Sequence, residues 1–208
     1  SLVGSEMCIR DRNDPEEQWD FGHGAGFYLD AVQEPWSVHY RMHSYVVEEL
    51  MTQLCTELPL DPSRLGVSGH SMGGHGALVL GLRHPQRYRS VSAVAPISHP
   101  SQCPWGQKAF GYLLGETPEA QQQWRQWDAV ALLEDGYHRE DSLLVDVGSD
   151  DPFLEKQLRP EDLRIACENN HQHLSLNFHG GYDHSYFFVA SVIDRHLEYH
   201  AKALGLVP

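Results

Sequence analysis

The feature that most constrains this chain is the stretch GVSGHSMGGHGALVLGL at residues 66–82. A short apolar run ends in Gly-His-Ser-Met-Gly and gives way to small residues at helical spacing. A serine between two glycines at a strand-to-helix junction presents its hydroxyl from a sharp, strained turn. Side chains at Gly69 and Gly73 are expected to collide with neighbouring strands and the following helix. Gly74, Gly76 and Ala77 should let that helix approach the sheet closely. Met72 opens the helix, so its backbone N–H can point at negative charge developing on a bound carbonyl oxygen. The bland alternative is a glycine-rich turn whose serine only caps a helix. The strand before and the helix after favour the nucleophile.

A serine hydroxyl is a poor nucleophile until an oriented base takes its proton. In chains with this junction the order is serine, acid, histidine, with acid and histidine each following a strand. The segment LLVDVGSDDPFL offers Asp150 and Asp151 just past a strand. The segment LNFHGGYDHSYFF offers His179 and His184. His184 is favoured by its place at the entrance to the last helix, after a turn with Gly180 and Gly181. Spacing leaves the two aspartates nearly level. The HGG at 179–181 resembles a glycine-rich oxyanion motif, but that motif belongs upstream of the nucleophile, so here it reads as the loop carrying the base.

Around these motifs, strands and helices alternate. Residues 41–58 carry Val46, Val47, Leu50, Met51, Leu54 and Leu58 at helical spacing. RLGVSG, YRSVSAV, SLLVDVG and LSLNF read as strands. Residues 72–84, 107–134 (two or three short pieces), 160–170 and 185–203 read as helices, with Pro160 at a first helical turn. Such alternation implies an α/β fold: a mostly parallel sheet with helices on both faces.

Composition narrows the function classes. The 208 residues suit one domain. A formal charge of −14 argues against nucleic acid, which is bound through clustered Lys and Arg. No apolar run approaches the roughly 18 residues of a membrane span, and no signal peptide is recognisable. Cys8, Cys55, Cys103 and Cys167 have no metal or disulfide spacing and read as reduced thiols of a cytoplasmic protein. Of the 14 histidines only His171 and His173 are closely spaced, so no metal site and no cofactor is expected.

Several separate motifs resemble the S-formylglutathione hydrolase (esterase D) family. They are SGHSMGGHGAL, SAVAPISHPSQCPWGQKAFGYLLG, DDPFLEKQLRP, GYDHSYFFVASVIDRHLEYHAKAL and, upstream, QWDFGHGAGFYLDAVQEPW. The resemblance runs from about residue 13 to the end. It implies an α/β-hydrolase with nucleophile Ser71, acid Asp151 and base His184. It also implies release of formate from S-formylglutathione in formaldehyde detoxification, without metal or cofactor. PWGQKAF, with Trp105, Gln107 and Lys108, resembles the family's stretch after the nucleophile strand. Lys108 is a candidate positive group for the anionic glutathione.

Family members extend further at the N-terminus. The first strands, and the loop supplying the second oxyanion donor beside Met72 N–H, are expected to be missing from this chain. Residues 1–12, SLVGSEMCIRDR, match none of the motifs and read as a foreign leader to a single domain at 13–208. A general short-chain carboxylesterase or acyltransferase on the same fold, and an inactive fragment, are the alternatives. The aromatic last helix would allow a homodimer.

Overall fold

The computed structural model describes residues 27–207; the leader reading at 1–12, Cys8 and the start of the QWDFGHGAGF motif lie outside them. Among the described residues one sheet of four strands is built, all neighbours parallel and in chain order. The strands are β1 (Leu65–His70), β2 (Tyr88–Val94), β3 (Leu143–Gly148) and β4 (Leu174–His179). Between them run α1 (Met72–Arg83), α2 (Pro104–Leu114), α3 (Pro118–Trp124), α4 (Ala129–Glu134) and α5 (Pro160–Asn169), and α6 (Tyr186–Ala203) follows β4.

The two faces of the sheet follow from the period of two in a strand. On β2, Val91 and Ala93 face one way and Ser90 and Ser92 the other, all fully buried. The apolar face gathers Leu78, Val79 and Leu82 of α1, Leu132 and Leu133 of α4 and Leu163 of α5 over Val91, Ala93, Val145 and Val147. Full burial of each large side chain contributes about 1.5–3 kcal/mol. The opposite face is polar and receives α6. There the His200 ring lies 2.6 Å from Ser90 Oγ and 2.8 Å from Ser92 Oγ. Helices on both faces of a parallel sheet match the α/β-hydrolase expectation.

The helix expected over 41–58 is present but irregular. It begins at Met42–Ser44, widens into a π turn over Tyr45–Leu50 and resumes at Met51–Glu57. The extra residue per turn rotates the apolar stripe out of line. Of its members only Val47 is buried, and Leu58 is 49% exposed. Among the described residues no helix is long and apolar enough to cross a membrane.

Candidate active site

The turn between β1 and α1 holds Ser71 at φ 56°, ψ −115°. Left-handed φ is disfavoured for any residue with a Cβ, so the surroundings must impose it. Ser71 N–H donates to Val94 O at 2.9 Å, while Ser71 O accepts from His75 N–H at 3.0 Å and Ile97 N–H at 3.2 Å. The end of β2 therefore grips the turn from both sides. A Cβ on Gly69 would sit 2.1 Å from the carbonyl oxygen of Gly73, so glycine is obligatory there. The same expectation for Gly73 is corrected: among the described residues a Cβ there would meet only Tyr28 Oη, at 3.9 Å. Gly74 does allow a close approach, to Pro96 just past β2, whereas Gly76 makes room for the Tyr28 ring rather than for the sheet.

The candidate acid and base arrive on two loops that are tied together. Ser149 N–H donates to His179 O and Asp150 N–H to Tyr182 O, both at 2.9 Å. Gly148 permits this, because a Cβ there would lie 2.2 Å from Tyr182 O. His184 is thereby set with Nε2 2.9 Å from Ser71 Oγ and Nδ1 2.5 Å from Asp151 Oδ2. The Asp151 carboxylate is fully buried and its Oδ1 accepts from Phe153 N–H at 2.8 Å. That second bond keeps the carboxylate aimed at the ring.

The structure separates the residues that spacing left open. Asp150 is exposed and serves the loop through its backbone. His179 turns away from Ser71, with Nε2 2.7 Å from Asp146 Oδ1. Met72 is the first residue of α1, so its N–H belongs to the first-turn amides that have no partner within the helix. Lys108 lies on α2, one turn beyond Trp105, whose ring packs on Phe153 with centroids 4.8 Å apart. His171 and His173 flank the turn before β4. Among the described residues no group of three or more His, Cys, Asp or Glu is placed to hold a metal.

Two rings around His184 escaped sequence reasoning. Phe153 meets the imidazole edge-on, centroids 5.1 Å apart at 85°, and His70 lies 4.7 Å from it at 38°. Phe153 stands two residues after the acid and His70 next to the serine, but nothing in local spacing says that both rings converge on His184.

An esterase family model matches residues 2–199. S-formylglutathione hydrolase of Rattus norvegicus is 46% identical over 191 residues, which is 91% of this chain and 67% of the rat protein. The Bos taurus S-formylglutathione hydrolase is 44% identical over the same shares. The chain belongs to this esterase family. A solved S-formylglutathione hydrolase from Agrobacterium tumefaciens superposes with a TM-score of 0.88 at 45% identity, covering 94% of this chain and 69% of that one. This esterase is thus a hydrolase of the α/β class.

Proposed function

We propose that this esterase hydrolyses S-formylglutathione to formate and glutathione through an acyl-enzyme on Ser71. The observation that carries the reading is the aligned contact of Ser71 Oγ with His184 Nε2, backed by buried Asp151 on Nδ1. Ser71 Oγ attacks the thioester carbonyl as its proton passes to His184 Nε2. Asp151 keeps the imidazole in the needed tautomer and stabilises the imidazolium. Met72 N–H donates to the oxyanion. As the tetrahedral adduct collapses, the C–S bond breaks and His184 gives its proton to the departing sulfur. Water then attacks the formyl ester with its proton going to His184, and that proton returns to Ser71 as formate leaves.

The names of the rat, bovine and Agrobacterium relatives support the substrate. With a net charge of −14, long-range steering does not recruit anionic glutathione, and Lys108 is the candidate for a local positive contact. A cytoplasmic setting, no nucleic-acid partner and a homodimer are the accompanying proposals. Tyr186 and Phe187, 70% and 83% exposed on α6, are the candidate dimer contacts, tested by sedimentation at rising concentration.

Rates on S-formylglutathione, p-nitrophenyl acetate and a longer acyl ester test the assignment. The formyl thioester should have the highest kcat/KM. If an oxygen ester is better, the reading becomes a general short-chain carboxylesterase or acyltransferase. A folded chain that fluorophosphonate does not label at Ser71 would make it inert.

A further inference from the structure

His70 is the last residue of β1 and immediately precedes Ser71. Its ring lies 4.7 Å from that of His184 and 5.6 Å from that of Tyr186. Its Nε2 is buried with no hydrogen-bond partner. One hydrogen bond at Nδ1 does not by itself fix an imidazole, because the torsion that swings the ring is broad. Something must restrict that swing if Nε2 is to stay on the serine. Among the described residues, His70 and Phe153 are the two aromatic rings packed on His184. His70 is built on the same strand end that carries the nucleophile, so wall and serine hold one geometry.

We propose that His70 is a positioning residue for the base: its uncharged ring, together with that of Phe153, holds the His184 imidazole in line with Ser71 Oγ. The absence of charge matters because His184 must take up a proton in the reaction, and an imidazolium at this distance would oppose it. Burial, then repulsion from His184, pushes His70 down to about 4 against the opposing pull of Asp151, so the ring is neutral when the enzyme works.

The inference rests on the triad reading, and the test keeps the two apart. His70→Ala and His70→Phe are compared with the unmodified chain by kcat, KM and the downfield NMR signal of the His184 Nδ1 proton. His70→Ala is expected to lower kcat by about 10- to 100-fold with KM changed less than about two-fold, the size a small misplacement of a reacting group produces. The Nδ1 proton signal should broaden or vanish. His70→Phe should restore kcat to within about three-fold and retain the signal, because a neutral ring suffices. Should the alanine variant lose its melting transition, His70→Leu replaces it, keeping volume without the planar face. An unchanged kcat and an unchanged signal in the truncated variant would overturn the proposal, as would a phenylalanine variant no better than it. If the unmodified chain turns over no thioester, the substrate reading fails, while the proton signal in the same variants still decides for or against the wall.

Discussion

At Ser71 the backbone stores strain of about 1–3 kcal/mol, and three hydrogen bonds to residues on α1 and at and beyond the end of β2 sustain it. The benefit is a hydroxyl standing clear of the turn, 2.9 Å from His184 Nε2. Ser71→Ala and His184→Ala should each lower kcat by roughly 10⁴-fold or more, and Asp151→Asn by roughly 10³–10⁴-fold with KM little moved, in steady-state assays. The two glycines of the motif should part company in thermal melts. Gly69→Ala drives a Cβ into the Gly73 carbonyl and should cost more than about 2 kcal/mol. Gly73→Ala adds a helix-favouring methyl with no close neighbour among the described residues and should be neutral or stabilise by up to about 1 kcal/mol.

Elements meet through backbone ties and one charge cluster. The loops after β3 and β4 share the two bonds from Ser149 and Asp150, with Gly148 at the point of closest approach. Gly148→Ala should push Tyr182 and hence His184 outward, lowering kcat about 100-fold. Beneath them the fully buried Asp146 of β3 holds α6 through His196 Nε2 at 2.9 Å and Arg195 Nη1 at 2.8 Å, and the end of β4 through His179. Burial is the largest influence on this carboxylate and opposes its charge. The hydrogen bonds from His196 and His179 and the charge of Arg195 outweigh it, so the group titrates below the usual carboxylate range. Its stabilising contribution is therefore present above the unfolded value and lost as pH falls through the lower folded value. Asp146→Asn should cost about 1–3 kcal/mol at neutral pH, because it removes the buried carboxylate that His196, His179 and the half-exposed Arg195 share. It should also flatten the acid limb of a stability–pH curve.

For the whole molecule, histidine burial sets the response to acid. Burial pushes His70, His75, His84 and His200 down to about 4 from an ordinary 6.5. Between those values the unfolded chain binds protons that the folded chain refuses, so stability falls as pH drops from 6.5 toward 4. The melting temperature should decline steeply across that window, and His75→Gln, which can still donate to Trp127 O, should reduce the slope. Much of this molecule was legible in local pattern. Alternation on β2, proline at the start of α5 and glycine at 69 are consequences of chain geometry within a few residues, and they announced a parallel sheet and a nucleophile turn. The stripe over 41–58 marks a helix that is present, while its π turn over Tyr45–Leu50 leaves no mark in spacing. Spacing favours His184 but leaves Asp150 and Asp151 nearly level, and the family resemblance points to Asp151 and His184. What brings that pair to Ser71 are the backbone bonds between two loops and the Asp146–His179 contact. The polar seam under α6 and the rings around the base likewise exist only once distant strands lie side by side. Nearest-neighbour chemistry writes an element into a sequence, whereas a site assembled from segments up to 113 residues apart is decided by which backbone groups meet in space.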